Sequence, residues 1–369
     1  MLKNNETLTA NASIKDASIK DAKSEGARIE GARSGGARSG GVSADNSSVT
    51  GVNTEGTNAK GANAKGTNGK DVTPEIANTI KEQVSLCKTV ADACSVCRDL
   101  LAQNQTNLSF NDPSLEAKIF VEHALSKTSL QLITQSEELL SDNDKQSLVN
   151  TLIKRISGYP VAYIVGHQPF WTLDLNVSED TLIPRADSEV VVETAISLPL
   201  QERAKVLDLG TGTGAIALAI KAERPHWNVL ACDYKNDIIK LAKSNAELNK
   251  LDVNFVLSNW FSNIEDQAYD LIVSNPPYVE SDSVWLQQGD VRFEPLSALT
   301  SGIDGLDDIR HIICQALGFL NSGGYLLLEH GEQQASAIQQ ILKENGYENI
   351  KTIQDLNALD RATIGQFNR

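Results

Sequence analysis

No aromatic side chain precedes Phe110, and Phe, Trp and Tyr together make up only 5% of the 369 residues. A leading segment without rings cannot bury enough apolar surface to offset the entropy of ordering its backbone. No run approaches the roughly twenty apolar residues of a membrane span, so no membrane segment is expected. Basic charge is also short. The 33 Lys and Arg face 48 Asp and Glu, a net charge of −15, and the pI is near 4.8. A general nucleic-acid binder would present a basic face, so direct nucleic-acid binding is not expected; an acidic surface suits a basic partner instead. Cys87, Cys94, Cys97, Cys232 and Cys314 are odd in number and lack a framework spacing, which fits a reducing, cytoplasmic compartment. Cys94 and Cys97 have the spacing of a metal or redox pair, but no second Cys pair or His cluster lies near and no strand precedes them. With Cys87 they read as one buried helix face, and no metal site is expected.

What is present divides the chain. Residues 1–72 carry a loose five-residue repeat, visible from Ser13 to Ala17, Ser18 to Ala22, Ser24 to Arg28 and Ser34 to Arg38. Its Gly, Ala, Ser, Asn and Lys content reads as a disordered low-complexity tail, and the period is too short for a solenoid. Glu6, Asp16, Asp21, Glu25 and Glu30 argue against a transit peptide, and there is no apolar core of a secretory signal. Residues 73–160 read as a small helical domain. Thr73 and Pro74 open a helix whose apolar positions Ile76, Ile80, Val84, Cys87 and Val90 recur at helical spacing. Asp112-Pro113 opens a second helix, and Ser141 to Asp144 caps a third, carrying Leu148, Leu152 and Ile156. Residues 161–189 read as a linker containing a strand pair around Pro169 to Val177.

From residue 190 to 369, strands and helices alternate. The strands are expected at Lys205–Leu209, Asn228–Asp233, Val253–Leu257, Asp270–Ser274, Gly324–Glu329, Asn349–Gln354 and Arg361–Phe367. The last two have no room for a helix between them, so they form an antiparallel addition to a mostly parallel, doubly wound α/β sheet. Ligands of such sheets bind outside the carboxyl ends of the strands.

Two strand ends carry the chemistry. Asp208 to Gly214 follows the first strand as Asp-Leu-Gly-Thr-Gly-Thr-Gly. Gly210, Gly212 and Gly214 let backbone approach a ligand closely, with Thr211 and Thr213 between them. Asp233 stands about twenty residues on, at the next strand end, where an acid can bind ribose hydroxyls. The glycines are not spaced as in a dinucleotide fingerprint. Asp208 would repel a phosphate but suits a cationic ligand without one, and the pattern resembles the first motif of class I S-adenosylmethionine-dependent methyltransferases. The fourth strand stops on Asn275-Pro276-Pro277-Tyr278. Two prolines donate no backbone hydrogen bonds, so the strand cannot continue, and an amide, a free carbonyl and a ring are left at its end.

Together these stretches resemble methyltransferases that modify a planar nitrogen. The stretch from Gln288 to Leu299, the stretch from Arg155 to Gly166 and Leu182 to Glu189 resemble the release factor glutamine N5-methyltransferase family. The resemblance runs from about residue 75 to the end. It implies a Rossmann-like class I methyltransferase domain with a seven-stranded, mostly parallel sheet and a small N-terminal helical domain. It implies S-adenosylmethionine as cofactor, held by Asp208, the Gly210–Gly214 loop, Asp233, Trp260 and Asn275. It further implies class 1 peptide chain release factors as partners, bound at Asn275, Pro276, Pro277 and Tyr278, of which Asn275, Pro276 and Tyr278 act in catalysis, and a monomeric enzyme. Ala186 and Ser188 depart from the Pro-Asp-Thr-Glu common in the family, Ser188 keeping the hydroxyl. Asn259 stands where many members have an acid. Arg185 and Glu189 are expected to order the site wall, Arg292 and Glu294 to form an ion pair, and His330 to be structural.

A DNA or RNA adenine N6-methyltransferase uses a similar Asn-Pro-Pro-Tyr on a flipped base. The acidic chain and the lack of a large insertion for base recognition count against it. A ribosomal protein glutamine methyltransferase is the nearer alternative, disfavoured by Gly289 to Pro295. A binding module that kept a nucleoside pocket would not need Asn275. If the tail is dispensable, a chain beginning at Val72 should keep full turnover in a methyl-transfer assay; a large loss in a folded truncation would show that the tail takes part.

Overall fold

The computed structural model describes residues 72–104, 112–265 and 268–368. Apart from Val72, the expected tail lies outside them.

The helical region contains α1 (Pro74–Leu86), α2 (Val90–Gln103), α3 (Pro113–Leu125), α4 (Ser129–Thr134), α5 (Asp142–Ile156) and α6 (Val161–Val165). Its starts follow the expected chemistry. Thr73 caps α1 through Ile76 N, and Pro74 occupies the first turn. Asp112 accepts from the Ser114 and Leu115 amides at 3.0 Å. Ser141 and Asp144 form a reciprocal capping box. The expected single apolar face from Ile76 to Val90 is interrupted. Cys87 turns to extended backbone (ψ 131°), and Asp92 takes the Lys88 and Thr89 amides at 2.8 and 3.0 Å, starting a new helix. Cys87 therefore ends α1 and lies off the helix that carries Cys94 and Cys97. All five cysteines are free, and burial raises the Cys97 thiol pKa well above its ordinary value.

The helices close over Ile80, Leu100, Phe120, Leu148 and Leu152. Inside this core Arg155 is completely buried. Its Nε and Nη2 donate to the two Glu116 carboxylate oxygens at 2.8 Å each, and Nη1 donates to the Tyr159 carbonyl at 3.2 Å. Asp290 Oδ1 lies 3.9 Å away, and Phe293 meets the Tyr159 ring edge-on at 5.2 Å. The helices thus reach the 3₁₀ turn Gly289–Phe293, which follows the Pro-Pro stretch in sequence.

A two-stranded antiparallel ribbon comes next, β1 (His167–Phe170) and β2 (Leu173–Asn176). The main sheet follows as β3 (Lys205–Leu209), β4 (Asn228–Asp233), β5 (Asn254–Leu257), β6 (Tyr269–Ser274), β7 (Leu320–Glu329), β8 (Glu348–Gln354) and β9 (Asp360–Phe367). Their spatial order is β5-β4-β3-β6-β7-β9-β8. Pairs among the first five are parallel, and β9 runs antiparallel to both β7 and β8. All seven expected strands form, and β7 begins earlier than expected because Leu320 pairs with Tyr269 across an irregularity of register.

The sheet is covered by α7 (Glu189–Ser197), α8 (Ala215–Glu223), α9 (Asn236–Asn249), α10 (Asp307–Ala316) and α11 (Ala335–Glu344). Alternate residues of β3 face opposite cores: Val206 packs with Val191, Leu218 and Val229, while Leu207 and Leu209 pack with Ile309, Ile313 and Leu328. Burial on both faces is why these strands read as continuous apolar runs. The direction of winding reverses beside β3, which has β4 on one side and β6 on the other. A crevice opens there at the strands' carboxyl ends.

Removing one partner of a buried ion pair strands the other charge. Glu116→Ala is therefore expected to lower stability by about 3–5 kcal/mol in urea denaturation. A loss below about 1 kcal/mol would mean that water reaches Arg155 after the substitution.

Candidate active site

The loop after β3 is built from left-handed turns. Gly210, Gly212 and Gly214 have φ of +69°, +55° and +87°, which a side chain would strain. At Gly210 space is also short, since a Cβ would lie 3.2 Å from Trp260 Cζ3. The loop is anchored at each step. Thr211 N donates to the Cys232 carbonyl at 2.9 Å, and Gly212 N to Asp233 Oδ2 at 3.1 Å. Asn245, fully buried, donates to the Thr213 carbonyl at 2.9 Å and exchanges hydrogen bonds with the Asn176 backbone. That staple of loop, α9 and β2 has no local signature in the sequence.

Asp208 is buried, and its Oδ2 accepts from Thr211 Oγ1 at 2.6 Å. Its Oδ1 has no hydrogen-bond donor of ordinary geometry among the described residues. Burial pushes its pKa up to about 7, opposed by the Thr211 hydroxyl. Asp233 is raised by burial too, against the amides of Gly212, Lys235 and Tyr234.

These residues line a cavity of about 360 Å³. Asp208, Gly210, Thr211, Gly212, Thr213, Asp233, Trp260, Asn275 and Pro277 all reach its wall, and Gly214, Pro276 and Tyr278 do not. The wall also includes Phe170, Thr181, Leu182, Arg185, Ser188, Asn259 and Asp308. Of these, Phe170, Thr181 and Asp308 were not expected from sequence. Trp260 sits at φ +49°, an uncommon conformation for a bulky residue. Its Nε1 donates to Asp308 Oδ1 at 3.2 Å, while Ser301 Oγ donates to the other Asp308 oxygen at 2.7 Å. Asp308 stands in the first turn of α10, and only the fold reveals that it faces Trp260.

At the end of β6, Ser274 Oγ donates to the Leu209 carbonyl at 2.7 Å. Asn275 Nδ2 donates to Ser188 Oγ at 3.1 Å. Among the described residues neither Asn275 Oδ1 nor the Pro276 carbonyl accepts a hydrogen bond. Tyr278 is half-buried, with its hydroxyl 3.3 Å from Glu329 Oε1. Gln334 Nε2 holds the Tyr278 carbonyl at 2.9 Å. Gly305 permits this packing, since a Cβ there would lie 2.2 Å from that carbonyl.

The expected Arg292–Glu294 ion pair does not form. Glu294 is buried and accepts from Arg185 Nη2 at 2.7 Å and Ile183 N at 3.2 Å, because Arg185 comes from the cavity wall beside it. The Arg292 guanidinium lies over Phe293 instead, 4.9 Å from the ring centroid. Glu189 accepts from Trp171 N at 3.2 Å, beside the wall residue Phe170, and Arg185 lines the wall itself. His330 is buried with Nδ1 2.9 Å from the Gly331 carbonyl and Nε2 2.8 Å from Thr363 Oγ1. Both ring nitrogens are engaged, and burial lowers its pKa.

Two family models match the chain, Methyltransferase small domain over residues 188–289 and PrmC N-terminal domain over residues 94–166. With the first of these matches, the sheet and its antiparallel β9 are those of the class I S-adenosylmethionine-dependent methyltransferase fold. The chain is 42% identical over 286 residues to the release factor glutamine methyltransferase of Haemophilus influenzae, covering 73% of this chain and 98% of that protein. It is 44% identical over 264 residues to that of Shewanella oneidensis, covering 71% and 92%. Against that of Escherichia coli it is 42% identical over 271 residues, covering 73% and 97%. With nearly the whole length of these relatives matched, the chain belongs to the release factor glutamine methyltransferase family.

Proposed function

We propose that this protein methylates the side-chain amide nitrogen, N5, of the glutamine in the Gly-Gly-Gln motif of class 1 peptide chain release factors, using S-adenosylmethionine. The observation that carries this reading is the asymmetry of Asn275. Its amide hydrogens are turned to Ser188, so its oxygen and the neighbouring Pro276 carbonyl remain as two acceptors. A primary carboxamide offers two hydrogens on one planar nitrogen.

The residues of the cavity fit the cofactor. Asp208 Oδ1 is an unsatisfied buried acceptor, which a cation would satisfy. Asp233 can accept from ribose hydroxyls while keeping its bond to Gly212, and Trp260 over Gly210 offers a flat apolar wall for a purine. Bound S-adenosylmethionine supplies an electrophilic methyl group on a sulfonium.

A carboxamide nitrogen is a poor nucleophile because its lone pair is delocalised into the carbonyl. Asn275 Oδ1 and Pro276 O accept the two amide hydrogens and hold the nitrogen so that its lone pair faces the methyl, and Tyr278 packs against the amide plane. Positioning supplies most of the acceleration. A strong base is not required, since the nitrogen becomes acidic once methylated. The acidic chain suits a basic, nucleic-acid-associated partner.

Asn275→Ala should lower kcat by about 10²–10³-fold while leaving cofactor affinity within a few-fold, because it removes an orienting interaction. Mapping the methyl by peptide mass spectrometry after incubation with release factor tests the assignment itself. A methyl found on adenine or ribosomal protein, and on no release factor glutamine, would overturn it.

Asp233→Ala should weaken S-adenosylmethionine binding by about 1.5–3 kcal/mol, from lost charged hydrogen bonds. Unchanged affinity in calorimetry would remove Asp233 from the site.

Asp208 binds a proton near neutrality in the free protein, and a bound cation favours its charged form. Cofactor affinity should therefore rise with pH through about 7, with proton release on binding detectable in buffers of different ionisation enthalpy. Asp208→Asn should flatten that dependence; the same slope in the variant would assign it to another group.

A further inference from the structure

Glu329 plays no part in the chemistry described above, yet it stands at the end of β7 directly behind the Asn275 to Tyr278 segment. It is 1% exposed. Its Oε1 faces the Tyr278 hydroxyl at 3.3 Å, and its Oε2 has no donor of ordinary geometry among the described residues. Burial pushes its pKa up to about 7, while the Ser188 hydroxyl and the Arg361 guanidinium favour the charged form and Asp187 opposes it. Arg361 is itself shared, 3.2 Å from Asp355 and 3.5 Å from Asp187.

A hydroxyl has one hydrogen to give and two lone pairs to accept with. Ser188 Oγ already accepts from Asn275 Nδ2 at 3.1 Å, so its single hydrogen is available to the carboxylate. With Glu329 ionised, as it is at a pH above about 7, the order Asn275 to Ser188 to Glu329 runs one way only. If the Asn275 amide were flipped, its oxygen would compete with Glu329 for that hydrogen, and a buried carboxylate would lose a donor it lacks elsewhere. An ionised carboxylate cannot donate in return.

We propose that Glu329 is a positioning residue that, through the Ser188 hydroxyl, fixes the Asn275 amide with its oxygen toward the substrate, and that it steadies the Tyr278 hydroxyl with its other oxygen. The inference rests on the proposed function only in assigning the Asn275 oxygen to the substrate amide. Replacing Glu329 by glutamine changes little in shape, but its amide can donate to Ser188 Oγ. The serine hydrogen is then turned to Asn275, which presents its NH₂ where an acceptor is needed.

The test measures release factor methylation by Glu329→Gln, Ser188→Ala, Ser188→Thr and the Glu329→Gln/Ser188→Ala pair. Each single loss should lower kcat by about 10–100-fold while KM for the release factor and cofactor Kd stay within about threefold. Ser188→Thr, which keeps the hydroxyl, should recover most of the loss seen in Ser188→Ala. The double variant should be no slower than the worse single one, since both break the same chain. As a readout free of activity, the Asn275 side-chain NH₂ signals in ¹⁵N spectra, assigned by their loss in Asn275→Ala, should move in both single variants. Wild-type kcat in Ser188→Ala and Glu329→Gln, or a loss carried by KM or cofactor affinity alone, would overturn the relay and leave the proposed function standing. If the wild-type protein methylates no glutamine, the function fails, and unmoved Asn275 signals would overturn the relay on their own. Should Glu329→Gln not fold, the Ser188 pair decides by the same criteria.

Discussion

The hydrogen bond from Ser274 Oγ to the Leu209 carbonyl, 2.7 Å long and fully buried, ties the end of β6 to the end of β3. On one side of it stands the glycine loop, on the other Asn275. A methyl transfer between two bound molecules depends on their separation to a fraction of an ångström, and this contact sets the separation of the two half-sites. It is backed by strand register, since Val206 to Leu209 pair in parallel with Leu271 to Ser274. The loop on one side and the Pro-Pro segment on the other are then the places where regular structure ends and ligands can approach.

The protein buries several acids and meets their desolvation in three ways. Glu294 has Arg185, and Glu116 has Arg155. Asp233 has backbone amides. Asp208 and Glu329 each keep one oxygen unsatisfied and are pushed up to about 7. The first two arrangements are structural, because the counter-charge is built in. Among the described residues no cationic side chain favours the charged form of Asp208, which suits the cationic cofactor proposed above. The low dielectric that makes such a group costly in the free protein also strengthens its interaction with that ligand.

Much of this was legible in the sequence because the signals were local. The strands of a doubly covered sheet are continuous apolar runs, so all seven could be placed. The glycines of the loop and the prolines after β6 act within a few residues of themselves. What could not be read was contact between distant segments. Glu294 chooses Arg185 over Arg292 because a segment 109 positions away lies closer in space than its near neighbour in sequence. Asp308 lines the site and Asn245 braces its loop, each from a helix whose other residues look ordinary. The break at Cys87 was also local, but the capping box of Thr89 and Asp92 was masked by an apolar period that happens to continue across it.

The helical region is more than an appendage to the sheet. Arg155 donates to Glu116 inside the helical core and to the Tyr159 carbonyl at its edge, and it lies 3.9 Å from Asp290. Asp290 belongs to the 3₁₀ turn that leads through Glu294 to Arg185 and the cavity wall. A guanidinium presents its donors in a rigid planar fork, so one side chain fixes helices and turn in a single geometry, which a lysine could not do. Pro295 then leads into the turn Leu296–Ala298, whose Ala298 lines the cavity with Ser297. The path from the helical core to the cavity wall thus runs through ion pairs and short turns.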